Sequence, residues 1–155
     1  MITLENLLNS NSYLMIDNPT SKKMVFDTMC IKAFETFNID KNQVLNDLAK
    51  REKIGTTTIG NGISIPHVQN NFVTKPVSIV TILSKGLDFD AIDKVPVDII
   101  VFLILPEANK SENLQILAQV SRLLRNSDII NKLRGSKSED SAFAIISQFL
   151  KDKAA

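Results

Sequence analysis

Residues 95–106 of this 155-residue chain read VPVDIIVFLILP, and this stretch decides the fold. It is apolar at nearly every position and rich in β-branched residues, which favour strands. A strand with one face in water alternates apolar and polar residues, whereas a continuous apolar run is typical of a strand covered on both faces. The run is also too short to span a bilayer, and it contains Asp98. It therefore predicts a central strand with other elements packed on both sides.

The segments around this strand predict the rest of the sheet and the helical layers. PVSIVTIL at 76–83 is rich in strand-forming residues, YLMID at 13–17 reads as a strand, and KGLDFDAID at 85–93 adds a short extended piece. Helical periodicity occupies the chain before and after this β-rich region. The order predicts an α/β (α+β) fold, a three-layer sandwich with a central mixed β-sheet flanked by helices on both faces. We expect a single domain over residues 1–155, because no repeat or long linker divides the chain.

The helical patterns also place a set of residues along one face of each helix. The first helix has Ser21 as its N-cap, and the second stops at Gly55. The predicted faces are Met24, Val25, Thr28, Ile31, Phe34 and Phe37 in the first helix, Val44, Leu45, Leu48 and Ala49 in the second, and Leu114, Leu117, Val120, Ser121 and Leu124 in a third. Two further patterns, at 127–135 and 138–153, predict two C-terminal helices.

Composition argues against several classes of function. The formal net charge of +1 argues against a nucleic-acid binder, which needs a basic surplus to displace counterions from phosphates. The single cysteine, Cys30, cannot form an internal disulfide and falls within a helical pattern, where a small buried thiol is expected. The N-terminal residues lack a basic leader and a sustained apolar region. We therefore expect a soluble cytoplasmic protein that does not insert into membranes.

The candidate functional residue ends the segment GNGISIPH, residues 60–67, and is the only histidine in the chain. The segment opens with a strong tight-turn signal at 60–62, and Ile63 and Ile65 are expected to anchor one face in the core. Pro66 fixes its own φ and holds the residue before it in an extended conformation. The segment thus predicts an imidazole held rigidly at a strand end, which suits a group that must meet a partner's reactive atom in line.

The sequence lacks the residues that most kinds of catalytic or metal site require. A metal site needs two or more His, Cys or clustered carboxylates at ligand spacing. Asp88, Asp90 and Asp93 lack the Gly and Glu spacing of a calcium loop, so a structural role at a strand–turn junction is expected. No nucleophile elbow and no phosphate-binding glycine loop occurs in the sequence, so no metal or other cofactor is expected. A single fixed imidazole can act alone as a nucleophile that accepts and releases a phosphoryl group.

The segment around the histidine resembles a known family. REKIGTTTIGNGISIPH at 51–67, followed by FDAIDKVPVDIIVFLILP at 89–106, is similar to the enzyme IIA domains of the fructose/mannitol class of the bacterial phosphotransferase system. Among these it looks most like the stand-alone nitrogen-regulatory IIA proteins. The similarity runs from about residue 21 to the final helix, and IGNGISIPH is its specific part.

This resemblance implies two catalytic residues. His67 is expected to be the phosphorylated residue, which receives phosphate from a histidine phosphocarrier protein. Arg51 stands at the position of the family's active-site arginine, where a guanidinium neutralises the oxygens of the transferring phosphoryl group. Taken without the resemblance, Arg51 reads as a solvated residue at a helix end.

The resemblance also implies two phosphate-binding residues. Thr57 matches a hydroxyl position of the family and is expected to donate to phosphate, although a β-branched residue in a strand needs no such role. Asn113 replaces a second histidine that many members carry at the start of the following helix. Its amide keeps a donor there but cannot become cationic or shuttle a proton. We expect phosphorylation to survive this exchange with an altered rate or an altered stability of phosphohistidine.

Three functions remain open at this point. The leading one is a phosphoryl acceptor, rather than a small-molecule enzyme, that regulates partner proteins by its phosphorylation state. The second is a stand-alone IIA subunit that passes phosphate to a IIB subunit of a fructose/mannitol-type sugar transporter. The third is a phosphorylation-deficient binding module, marked by Asn113. Expected partners are the phosphocarrier protein and either regulatory targets or a IIB subunit, with the chain itself a monomer or weak homodimer.

Overall fold

Six strands form one mixed sheet with helices on both faces, in a computed structural model that describes residues 2–154. The strands are β1 (Tyr13–Ile16), β2 (Thr58–Gly60), β3 (Ile63–Ser64), β4 (His67–Asn70), β5 (Val77–Leu87) and β6 (Val97–Pro106). The helices are α1 (Leu4–Leu7), α2 (Lys22–Phe37), α3 (Lys41–Ile54), α4 (Lys110–Leu124), α5 (Ser127–Arg134) and α6 (Glu139–Ala154). The predicted fold class is confirmed.

Strand β6 lies at the centre of the sheet. It pairs antiparallel with β5 on one side, and on the other it pairs parallel with β3 and then with β4. Residues 99–105 of β6 are all buried, and they contribute alternately to two cores. One core lies between the sheet and α4, α5 and α6, and the other lies between the sheet and α2 and α3. The continuous apolar run is therefore a strand covered on both faces, as predicted.

The predicted boundaries of the first two long helices are confirmed. The Ser21 hydroxyl accepts a hydrogen bond from the Met24 N–H at 3.0 Å, which caps α2, and α3 ends at Ile54, directly before Gly55. Cys30, on α2, is fully buried, and burial raises the pKa of its thiol to about 12. At neutral pH this thiol stays protonated and unreactive.

The faces predicted from helical spacing are only partly buried. In α2, Ile31 and Phe34 are 38% and 52% exposed, and in α4 Leu114 is 69% exposed. The buried residues are Val25, Phe26, Met29, Cys30 and Ala33 in α2, and Asn113, Ile116, Val120, Leu123 and Leu124 in α4. In α3, Val44 and Leu48 are buried as predicted, but Ala49 is exposed. The prediction followed the large apolar side chains, whereas the faces against the sheet also take small or polar residues such as Ala33 and Asn113.

The predicted tight turn at residues 60–62 joins β2 to β3. All three residues have positive φ, with values of +94°, +58° and +81° along the chain. At Gly62 a Cβ atom would lie 2.7 Å from Nη2 of Arg134 and 3.0 Å from the Pro96 carbonyl oxygen. Glycine is therefore required at Gly62 by both conformation and space. The turn directs β3 along β6 and thereby places the segment that leads to His67.

Within residues 2–154, none of the helices has both the length and the apolar character needed to cross a membrane.

Candidate functional site

The candidate site is an open cavity of about 380 Å³ between α3 and β4. It is lined by Asp47, Lys50, Arg51 and Ile54 from α3, and by His67, Val68 and Gln69 from β4. The α3 residues stand at the i, i+3, i+4 and i+7 positions of a helix, so they share one face. That face carries two cations and one carboxylate beside the imidazole.

His67 is the first residue of β4, and its side chain is half-buried. We predicted that the imidazole would be held at a strand end. In the structure Pro66 separates β3 from β4, because proline has no N–H to donate to the ladder, and pairing with β6 resumes at His67. Ile63 and Ile65 are both buried in the core, as predicted. The imidazole is thus held on a paired strand at the cavity.

The hydrogen bond of the imidazole determines its tautomer. Nδ1 of His67 lies 2.8 Å from the Ile65 carbonyl oxygen. A carbonyl only accepts, so Nδ1 carries the hydrogen, and in the neutral ring Nε2 keeps its lone pair. The backbone therefore fixes one ring nitrogen, and the lone pair of the other is available for chemistry.

Arg51 lies in the last turn of α3 and lines the same cavity as His67. Its Nη1 donates to the Gly55 carbonyl oxygen at 3.2 Å, beyond the end of the helix. A guanidinium has five N–H donors, so this bond steadies the side chain and leaves donors for an anion. The structure brings the predicted pair together.

The Thr57 hydroxyl has close partners within the protein. Its Oγ1 donates to Oε1 of Glu52 at 2.9 Å and lies 3.1 Å from Oγ of Ser64, and the residue is 8% exposed. Its single hydrogen is thus directed at a carboxylate. The phosphate-binding role of Thr57 stays a prediction, and it would require this bond to break.

Asn113 is fully buried in the first turns of α4. Its Nδ2 donates to the Pro106 carbonyl oxygen at 2.7 Å, and its Oδ1 has no hydrogen-bond partner among the described residues. Of residues 2–154, those lining the cavity at His67 do not include Asn113. Its phosphate-binding role also stays a prediction.

Sequence reasoning missed three charged residues at or beside the site. Asp47 and Lys50 line the cavity, and the carboxylate of Glu52 bonds to Thr57 and to Lys22. The helical spacing of residues 47, 50, 51 and 54 would have indicated the first two, since all four share the face that carries Arg51. No local pattern indicates Glu52, because its partners come from two other segments.

The acidic segment at 88–93 has the structural role that we expected. The Asp93 carboxylate accepts hydrogen bonds from the N–H groups of Asn61 and Val95 at 2.9 and 3.1 Å. These bonds hold the pKa of Asp93 below its usual value, the bond from Asn61 having the larger effect. Asp93 thus anchors the turn that precedes β3.

Comparisons with known proteins agree with this geometry. Residues 6–149 match the family described as "Phosphoenolpyruvate-dependent sugar phosphotransferase system, EIIA 2". The nitrogen regulatory protein of Pseudomonas aeruginosa is 35% identical over 147 residues, which cover 94% of this chain and 96% of that protein. A fructose-specific EIIA component of Haloferax volcanii is 30% identical, with 84% and 85% covered. The crystal structure of nitrogen regulatory protein IIA-Ntr from Neisseria meningitidis has a TM-score of 0.81 at 26% identity, covering 90% of this chain and 95% of that one.

Proposed function

Because this chain belongs to the EIIA 2 family of the phosphoenolpyruvate-dependent sugar phosphotransferase system, we propose that His67 is its phosphoryl acceptor and Arg51 its phosphate-binding cation. The phosphoryl donor is a histidine phosphocarrier protein. Nε2 of His67 is the acceptor atom, and the phosphorylation state of that atom regulates partner proteins. The observation that carries the proposal is an imidazole whose Nδ1 is bonded to the Ile65 carbonyl, in a cavity shared with Arg51.

The transfer step needs no proton movement at His67. The Nε2 lone pair attacks the phosphorus of the donor's phosphohistidine, and the new N–P bond forms as the donor's N–P bond breaks. The electrons of the broken bond return to the donor's ring nitrogen. Nδ1 keeps its hydrogen, and the Ile65 carbonyl oxygen stabilises the positive charge that the ring of His67 acquires.

Arg51 and Lys50 supply the electrostatics of the step. Phosphoryl transfer requires little covalent chemistry from the protein, so catalysis consists mainly of positioning and of stabilising charge on the equatorial oxygens. The Arg51 guanidinium offers planar, paired donors to those oxygens, while Lys50 adds a second cation at the cavity. The Asp47 carboxylate on the same face offsets part of this positive charge.

A regulatory role follows from the charge that phosphorylation adds. A phosphoryl group brings roughly two negative charges to a small fixed surface. The cavity then changes from cationic to anionic, which is enough to favour one partner surface and reject another. The regulatory assignment is supported by the relatives named nitrogen regulatory proteins, one of them 35% identical over 94% of this chain.

Mass spectrometry after incubation with phosphorylated phosphocarrier protein tests the proposal. We expect one acid-labile phosphoryl group, mapped to His67, and none on a His67→Ala variant that melts at the wild-type temperature. Absence of the added mass on the wild-type chain would overturn the proposal.

A second candidate function is transfer onward to a IIB subunit of a sugar transporter. It is favoured by the similarity to a fructose-specific EIIA component, at 30% identity. Both functions use the same acceptor and differ only in what happens next. Transfer of a labelled phosphoryl group from His67 to a purified IIB subunit supports transport. Stable phosphohistidine, together with binding of a target protein that depends on phosphorylation, supports regulation.

A further inference from the structure

The carboxylate of Glu52 joins three segments of the chain. Its Oε2 accepts from Nζ of Lys22 at 2.8 Å, at the start of α2, and its Oε1 accepts from the Thr57 hydroxyl at 2.9 Å, just before β2. The carboxylate itself lies in the last turn of α3, directly after Arg51, and the Glu52 side chain is only 11% exposed. Of residues 2–154, those that line the cavity at His67 do not include Glu52.

Three hydrogen bonds, joined through the covalent structure of Thr57 and Ile65, connect this carboxylate to the imidazole. The Thr57 hydroxyl bonds to Glu52, and the Thr57 carbonyl accepts from the Ile65 N–H at 3.0 Å. The carbonyl of the same Ile65 accepts from Nδ1 of His67 at 2.8 Å. One threonine and one isoleucine therefore connect the helix turn that carries Arg51 to the ring nitrogen that sets the tautomer of His67.

We propose that Glu52 is a positioning residue, which fixes the Thr57–Ile65 backbone so that Nε2 of His67 and the guanidinium of Arg51 face the same phosphoryl group. This inference rests on the proposed function, because it concerns the geometry of that transfer. Glu52 touches neither the phosphoryl group nor the reacting nitrogen. It acts through Thr57 and Ile65, and through the helix turn that it shares with Arg51.

The two carboxylate oxygens have separate partners, an ammonium and a hydroxyl, and only the bond to the Thr57 hydroxyl belongs to the positioning role. A glutamine at this position has one acceptor oxygen and a donor amide. The Lys22 ammonium can only donate, so the oxygen stays with Lys22 and the Thr57 hydroxyl loses its acceptor. If Thr57 is released, the Ile65 backbone that is bonded to it shifts, and small displacements of a reacting group cost rate steeply.

The first test is Glu52→Gln in single-turnover transfer from phosphorylated phosphocarrier protein. At saturating donor we expect the transfer rate to fall about 10-fold, with the half-saturating donor concentration changed less than about twofold. Thr57→Val, which keeps the branched shape and removes the hydroxyl, is expected to slow transfer in the same way. The double variant should be no slower than Glu52→Gln alone, because both substitutions interrupt one path.

The double variant also separates this role from direct phosphate binding by Thr57. If Thr57 donates to phosphate independently of Glu52, the fold losses in transfer rate of the two single variants multiply in the double variant. That result would overturn the proposal that Glu52 acts through Thr57.

Lys22→Met is the matched control. It removes the other partner of the same carboxylate and leaves the bond to Thr57 in place. We expect a lower melting temperature and an unchanged transfer rate of the folded protein. If Glu52→Gln slows transfer no more than Lys22→Met does, the carboxylate only stabilises the fold and the inference is wrong.

A second measurement does not depend on transfer. The imidazole ¹⁵N shifts of His67 report which ring nitrogen carries the hydrogen, and we expect the Nδ1–H form in the wild type and a smaller share of it in Glu52→Gln. Equal shares in both proteins would overturn the inference even if phosphorylation proceeds. A wild-type chain that takes no phosphate but shows the expected shift would overturn the proposed function and leave the positional coupling supported.

Discussion

His67 and Asn113 both belong to the set of residues that the sequence predicts to handle phosphate, and the structure gives them opposite surroundings. His67 is half-buried at an open cavity, with Nδ1 bonded to the backbone. Asn113 is fully buried, with Nδ2 bonded to the Pro106 carbonyl and Oδ1 lacking a partner among the described residues. The difference is one of access: a partner protein can reach the imidazole of His67, whereas the amide of Asn113 lies inside the fold.

The elements that carry the two residues account for this difference. His67 begins a short strand that faces the end of α3, and the α3 side chains around it are mostly charged. Asn113 lies on the face of α4 that packs against the sheet, in line with the buried Ile116 and Val120. The His67 side chain is partly open to solvent, whereas the polar atoms of Asn113 can find hydrogen-bond partners only inside the protein.

The largest effect is expected at the open site, from Arg51→Gln. Removing one preorganised donor for a developing anion typically costs about 100-fold in rate. We expect a loss of about that size in single-turnover phosphoryl transfer to His67, with little change in the melting temperature. The matched variant is Lys50→Gln, on the same face, where we expect a loss of only a few-fold because an ammonium is not bidentate. Equal losses for the two variants would mean that net charge, and not the guanidinium fork, assists transfer.

A smaller effect, on stability and not on rate, is expected at the buried position, from Asn113→Ala. The substitution leaves the Pro106 carbonyl without its side-chain donor and opens a small cavity, so we expect a loss of about 2 kcal/mol in the free energy of unfolding. The transfer rate of the folded protein should change less than about threefold. Urea unfolding and single-turnover transfer measure the two quantities. A tenfold slower transfer at unchanged stability would instead show that the Asn113 amide reaches the phosphoryl group.

The sequence predicted the fold better than it predicted the helix faces. The burial of residues 99–105 could be predicted without a periodicity argument because the run is apolar throughout, and every one of these residues is buried. In contrast, Phe34 and Leu114 have the helical spacing of core residues and are exposed. Spacing gives the width of an apolar stripe, but the packing against the sheet decides which edge of the stripe is inside.

The candidate site was predictable only in part, for a related reason. Pro66 and the glycine turn are local signals, so the rigid mounting of His67 could be inferred from neighbouring residues. The bonds of Thr57 and Asn113 are not local in this sense. They depend on where a helix turn and a strand end lie in the folded protein. The Glu52 carboxylate, for example, accepts a hydrogen bond from the Thr57 hydroxyl. Hydrogen-bond partners between separate elements follow from the packing, which the sequence pattern does not specify.

The smallest effect is expected at Asp93, which is exposed and anchors the turn before β3 from outside the core. The backbone N–H groups of Asn61 and Val95 hold the pKa of its carboxyl below the usual value. The stability that this adds is fully present above the unfolded pKa of about 3.9 and is lost as the pH falls through the lower, folded pKa. Asp93→Asn should therefore lower the urea midpoint slightly at pH 7 and not in strong acid, while transfer to His67 changes less than about twofold. A slower transfer would show that the site at His67 depends on this turn as closely as it depends on α3. A urea midpoint that stays lowered in strong acid would show that the carboxylate charge is not what anchors the turn.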